Sequence, residues 1–156
     1  MARTPAVGEQ ATDFELVGTE GTFRLSDHRG ERVVLLFYPG DFTPVCTKQF
    51  CSYRDRAEDL AALGATVVGI SAQDLASHER FAAENSLTVP LLADVEQTVA
   101  KAYSVDSPKW STDRSVVIID EQGIVRYRHD PETPLSFQTV DELKAALDAL
   151  SGPGRM

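Results

Sequence analysis

The chain has 156 residues, 42% of them hydrophobic and 25% charged, which reads as one soluble globular domain, 1–156, with a single core. Its 15 Lys and Arg against 24 Asp and Glu give a net charge of −9, a surface that repels a phosphate backbone, so nucleic-acid binding is not expected. Residues 1–12, MARTPAVGEQAT, lack the apolar core of a signal peptide, and no apolar run approaches the ~18 residues that span a bilayer; the expectation is a cytoplasmic chain with reduced thiols and no membrane contact.

Residues 13–25, DFELVGTEGTFRL, alternate around Gly18 and Gly21 and predict an antiparallel hairpin. RVVLLFY (32–38) is a short apolar run rich in β-branched residues, the pattern of a strand buried on both faces, and Pro39 ends it. The loop PGDFTP (39–44) leads into a long helical stretch, 45–64, with Gly64 just past its end. TVVGIS (66–71) predicts a second buried strand. DLASHERFAAENS (74–86) predicts a helix with Leu75, His78, Phe81 and Ala82 on one face. VPLLAD (89–94) reads as a short strand and VEQTVAKAY (95–103) as a helix. RSVVIID (114–120) and IVRYRH (124–129) predict adjacent strands joined by EQG, whose Gly123 can take positive φ. TVDELKAALDAL (139–150) predicts a closing helix, Thr139 its N-cap and Glu142 completing a capping box, with SGPGRM (151–156) as a frayed tail. The order strand–helix–strand then strand–strand–helix predicts an α/β, thioredoxin-like fold: a mixed central sheet flanked by helices, preceded by the hairpin.

The two cysteines lie together in FTPVCTKQFC (42–51). Cys46 falls in the first turn of the predicted helix, where unpaired N–H groups and the positive end of the helix dipole favour a thiolate over a thiol. Taken alone, such a residue reads more readily as a buried free cysteine. Cys51 follows five positions on, a rise of about 7.5 Å and a rotation of about 140°, which separates the two Cα atoms by on the order of 8 to 9 Å. A disulfide needs less than ~7 Å, so the pair cannot bond while the helix is intact but can after one turn unwinds. That suits a reaction cycle better than a static staple. Two cysteines supply half of a structural zinc shell, and His28, His78 and His129 have no ligand-like spacing to them, so no metal site is expected.

FYPGDFTPVCT resembles the P-x-x-x-T-x-x-C signature of the peroxiredoxins, matched by Pro39, Thr43 and Cys46, and the cysteine five residues on resembles the peroxiredoxin Q (bacterioferritin comigratory protein) subfamily. The resemblance runs along nearly the whole chain: the hairpin and first core strand, the stretch VVGISAQDLASHERFAAENSLTVPLLAD, and TDRSVVIIDEQGIVRY, where the family's active-site arginine falls on Arg114. It implies a thiol peroxidase that needs no cofactor. Cys46 would attack a hydroperoxide and become a sulfenic acid, and Arg114 would stabilise thiolate and developing oxyanion. Thr43 and the amides of Val45 and Cys46 would hold the O–O bond, with Tyr38, Phe42, Val45 and Gln49 lining the substrate mouth. Cys51 would resolve the sulfenic acid, and thioredoxin or another dithiol would reopen the disulfide.

Two departures from the family pattern stand out. Gln49 replaces a common Glu, and Gly40, Asp41 and Phe42 replace a more charged loop, Phe42 resembling the one-cysteine AhpE-like peroxiredoxins. Thr47, Lys48 and Gln49 are polar and are expected to move at little cost, whereas Phe50 is expected to leave the core when the turn unwinds. A monomer, or at most a weak homodimer, is expected. The rival readings are a redox-sensing protein of the same fold without turnover and a one-cysteine peroxiredoxin.

Overall fold

The structure is a computed structural model that describes residues 3–107, 111–131 and 137–150; the tail 151–156 lies outside the described residues. Its centre is a five-stranded mixed sheet in the order β5-β4-β3-β8-β9, formed by β3 (Arg32–Phe37), β4 (Ala65–Ser71), β5 (Leu91–Ala93), β8 (Ser115–Ile119) and β9 (Val125–His129). β3 is the middle strand. It runs parallel to β4 and antiparallel to β8, in the register Phe37↔Ile70 and Phe37↔Ser115.

Alternation along β3 explains why its sequence is apolar throughout. Val34 and Leu36 point to one core with Cys46, Phe50, Tyr53, Phe81, Leu143 and Leu147, and Val33, Leu35 and Phe37 to a second core with Phe23, Leu92, Val99 and Tyr103. The first core is closed by α1 (Pro44–Asp55), α2 (Ala57–Ala61), α3 (Leu75–Asn85) and α5 (Val140–Leu150); the second by α4 (Thr98–Ala102) and the N-terminal hairpin. The predicted layers are therefore present.

The hairpin is shorter than its sequence suggests. β1 (Glu15–Leu16) pairs with β2 (Phe23–Arg24), with Gly21 at φ 105° in the turn, and a 3₁₀ turn (Leu25–His28) follows. Its tip lies on the outer edge of β5, where Ala93 N–H donates to Val17 O and Thr19 N–H to Leu91 O. The predicted helix 45–64 starts one residue earlier, at Pro44, and breaks at Arg56 (φ −116°, ψ 36°). Arg56 bonds both Asp59 and Asp141, which ties the break to α5, and Gly64 takes φ 68° as expected. β5 is also shorter than read, and α4 is shorter because Gln97 adopts a left-handed conformation and delays the helix to Thr98. Two short strands, β6 (Asp106–Ser107) and β7 (Ser111–Thr112), carry no alternation and were not foreseen. The capping box of α5 forms as read: Thr139 Oγ1 accepts from Glu142 N–H at 3.1 Å while Glu142 Oε1 accepts from Thr139 N–H at 2.9 Å. No helix among the described residues is long and apolar enough to cross a membrane.

The topology brings distant segments to one end of the sheet. β3 and β4 are parallel, so both finish there, and antiparallel β8 begins there. The loop 38–43, the start of α1, the turn before α3 and Arg114 therefore converge at the C-terminal ends of the parallel strands, the usual place for a site in such sheets.

Gly69 in β4 is part of this arrangement. A Cβ there would lie 2.9 Å from Phe50 Cζ and 3.0 Å from Leu91 Cδ2, and both side chains are fully buried. α1 can bring the Phe50 ring this close to the sheet only because the strand is bare at that point. Gly69→Ala is expected to destabilise the fold by about 1–3 kcal/mol through overpacking; a urea midpoint unchanged from the parent would contradict this packing.

Candidate active site

Pro44 stands at the first position of α1, where a missing N–H costs nothing, and Thr43 precedes it in extended conformation. Cys46 is thus the third residue of the helix, fully buried, while its loop neighbours Phe42, Thr43 and Pro44 are exposed. The amides of Val45 and Cys46 belong to the first turn and have no intrahelical acceptor. Arg114, one residue before β8 and only 4% exposed, donates from Nη2 to Cys46 Sγ at 3.0 Å. A guanidinium and a helix start both face the sulfur.

The other side of Arg114 is fixed by a chain of oriented hydrogen bonds. Arg114 Nη1 donates to Gln49 Oε1. Gln49 Nε2 donates to the Tyr53 hydroxyl at 2.9 Å, and Tyr53 donates onward to the backbone carbonyl of Gln138 at 2.6 Å. Burial pushes the Tyr53 phenol well above its ordinary pKa, so it remains a donor. The Gln138 side chain in turn accepts from Tyr127 at 2.8 Å. Tyr53 and Gln138 were not singled out from the sequence. The i, i+4 spacing of Gln49 and Tyr53 was the one available signal, whereas the contact to Gln138 spans 85 residues.

Gln49 was expected to be a mobile polar residue; it is 1% exposed and bonded at both ends of its amide. Phe50 is 1% exposed, its ring 4.8 Å from Tyr38, 5.6 Å from Tyr53 and 6.4 Å from Phe81. Cys51 is half-buried on the next turn, its thiol 3.7 Å from Asn85 Oδ1 of α3. Both thiols are free. Thr43 does not cap α1 with its side chain; its hydroxyl donates to Gly40 O at 3.1 Å and so closes the loop on itself. Tyr38, expected at the substrate mouth, is fully buried and donates to Asp41 at 2.7 Å. Phe42 is 44% exposed with φ 64°, and Val45 is half-buried. Among the described residues no group of three or more His, Cys, Asp or Glu side chains is placed to hold a metal ion.

The AhpC/TSA family profile matches residues 7–128. Peroxiredoxin Bcp of Bacillus subtilis (strain 168) is 38% identical over 128 residues, covering 77% of this chain and 82% of that protein. The chloroplastic Peroxiredoxin Q of Triticum aestivum is 42% identical over 123 residues, 77% of this chain, which spans 57% of that protein's length. Among solved structures, Peroxidoxin BcpB from Mycobacterium tuberculosis matches with a TM-score of 0.79 and 32% identity, over 92% of this chain and 97% of that one. The thioredoxin-like fold read from the element order is the one these relatives share.

The direction of the hydrogen bonds makes residue 49 testable. Tyr53 spends its proton on Gln138 O, so it presents only lone pairs to residue 49. A carboxylate there cannot donate. Gln49→Glu is expected to cost about 1–3 kcal/mol of stability, the penalty of a buried unpaired acceptor, and a Tyr53→Phe background should remove part of that cost. A double-mutant cycle from urea denaturation measures the coupling; additive effects would contradict the assigned direction.

Proposed function

The chain belongs to the AhpC/TSA family, as a peroxiredoxin of the peroxiredoxin Q and bacterioferritin comigratory protein group, and from that premise we propose the route by which it reduces a hydroperoxide. The chain is a thiol-dependent peroxidase. In the proposed route the Cys46 thiolate attacks the terminal peroxide oxygen: an S–O bond forms, the O–O bond breaks, and the alkoxide or hydroxide leaves and takes up a proton. Arg114 steadies the thiolate and then the charge growing on the departing oxygen. The Val45 and Cys46 amides, with the Thr43–Gly40 loop, hold the peroxide in line. The observation that carries this reading is the 3.0 Å contact between Arg114 and a buried sulfur in the first turn of a helix.

The sulfenic acid is resolved within the chain. Cys51 sulfur bonds Cys46 sulfur, the S–O bond breaks, and the oxygen leaves as water. A dithiol of the thioredoxin type then supplies two electrons, reopens the disulfide by exchange and itself becomes a disulfide. On an intact helix the two sulfurs are too far apart, so the first turns of α1 must unwind. The movement costs more than the sequence suggests. Gln49 must surrender its bonds to Arg114 and Tyr53, and exposing Phe50 costs about 1.5–3 kcal/mol. That cost holds the disulfide form above the reduced form and makes it easily reduced.

Cys46→Ser is expected to abolish reductant-coupled peroxide consumption while leaving the fold intact, because a serine hydroxyl is barely ionised at neutral pH. Retained turnover would overturn the nucleophile assignment. Cys51→Ser should react once with peroxide, stall, and drift to the sulfinic acid. Mass spectrometry of the oxidised parent checks the pairing: loss of two hydrogens supports it, and their retention assigns the one-cysteine route instead.

The arginine is tested separately. Arg114→Ala should slow the reaction of Cys46 with peroxide at neutral pH by about 100-fold or more, the scale of losing one donor to a developing oxyanion. Arg114→Lys should recover little of it, because a point charge cannot reach sulfur and amide together. Stopped-flow rates equal to the parent's in either variant would remove Arg114 from the mechanism.

A further inference from the structure

We propose that Asp41 and His78 are positioning residues for the peroxide reaction: a buried ion pair between the loop and α3 that sets the start of α1 against Arg114. The inference rests on Cys46 being the reactive thiol. Both side chains are fully buried, with Asp41 Oδ2 2.8 Å from His78 Nδ1.

Donor counting places the protons. His78 Nε2 lies 3.0 Å from Leu92 O, and a carbonyl can only accept, so Nε2 carries a hydrogen. Asp41 Oδ1 accepts from Tyr38 at 2.7 Å, and Oδ2 accepts from Ser77 at 2.8 Å. Burial, and then the neighbouring carboxylate, push the Tyr38 phenol well above its ordinary pKa, which keeps it a donor. Both carboxylate oxygens thus receive hydroxyl protons, the Tyr38 hydroxyl also stands 3.2 Å from Nδ1, and a proton between Oδ2 and Nδ1 closes the network. With that proton on Nδ1, as proposed, the pair is an imidazolium and a carboxylate.

The same loop is held from other sides. Asp41 N–H donates to Gln73 Oε1 at 2.7 Å, and a Cβ at Gly40 would stand 2.5 Å from that oxygen, so glycine permits the approach. Phe42, the next residue, sits at φ 64° with its ring 5.1 Å from Phe81 and under the Arg80 guanidinium at 5.6 Å. A left-handed conformation in a large residue persists only where its surroundings impose it. Thr43 and α1 follow directly, so the direction in which α1 leaves the loop depends on this anchorage. A buried ion pair is a poor source of stability compared with apolar packing; its attested value is to select one arrangement over others. That value fits a loop in which a small displacement of the sulfur or the first-turn amides would spoil the alignment with peroxide.

The test uses the reduced full-length chain, its Asp41→Ala and Asp41→Asn variants, and three readouts: the rate with hydrogen peroxide, the rate of Cys46 alkylation by iodoacetamide, and nitrogen-15 NMR of the His78 ring. Asp41→Ala should lower the peroxide rate by about 100-fold, the scale of an ångström of misplacement, and the alkylation rate far less. Asp41→Asn should recover most of the loss, because an amide can accept from Tyr38 and donate to a neutral ring. The parent should show two ring N–H groups on His78 and Asp41→Asn only one. A purely structural role would lower the melting temperature and leave the ratio of the two rates unchanged; that result, or a single ring N–H in the parent, overturns the proposal. Should Asp41→Ala not fold, the parent's ring signals decide. Peroxidase turnover that survives iodoacetamide would instead overturn the assignment of Cys46, whereas an inactive alkylated enzyme with an unchanged rate ratio in Asp41→Ala defeats this inference alone.

Discussion

A guanidinium and a sulfur 3.0 Å apart, in a place that water hardly reaches, must be brought together by residues 68 positions apart in the chain. In such surroundings their attraction is far stronger than in water, but so is the cost of a misplaced partner. The arrangement therefore depends on backbone that cannot drift. The antiparallel register of β3 and β8 supplies it. Phe37 pairs with Ser115, and so Arg114 emerges level with the loop that leads to Cys46. A slip by one residue would turn Arg114 to the opposite face of the sheet.

The second support is less visible. From Arg114 the hydrogen bonds run through Gln49 and Tyr53 to the carbonyl of Gln138, the residue before the N-cap of α5. The capping box of α5 thus helps to orient a group at the far side of the core, because a helix start that frayed would release the carbonyl that Tyr53 needs. Stability of the last helix and alignment of the guanidinium are linked through one phenol.

Much of this was legible in the residues. RVVLLFY announced a strand with two buried faces, Thr139 and Glu142 announced a cap, and Pro44 with Cys46 placed a thiol at a helix start, because each signal is local. The break at Arg56 was not legible, since it rests on side-chain bonds to Asp59 and to Asp141, 85 residues away. Gln49 was read as a polar residue free to move for a related reason: Tyr53 lies one turn on, but Arg114, which fixes the amide's other end, is 65 residues away. Asp41 and His78 gave no sign of meeting. His78 stood on an apolar helix face, where a histidine most often serves packing, and only the topology carries α3 back to the loop. The hairpin was over-read in length, because alternation continues past the last ladder bond.

The part of α1 that would rearrange in the proposed cycle is pinned at both ends, by Asp41 before it and by Tyr53 after it. Unwound, it would be a closed loop of about a dozen residues and not a fraying terminus. The entropic cost of holding such a loop at both ends grows only as the logarithm of its length, roughly 0.6 kcal/mol per doubling. Spreading the opening into the rest of α1 would have to carry it past Tyr53, whose hydroxyl bond to Gln138 O and buried ring hold the far end. Closure of a loop this size takes on the order of 10–100 ns. In the proposed cycle the segment would thus open to a fixed extent and, once the sulfurs parted, would close again far faster than the next peroxide arrives.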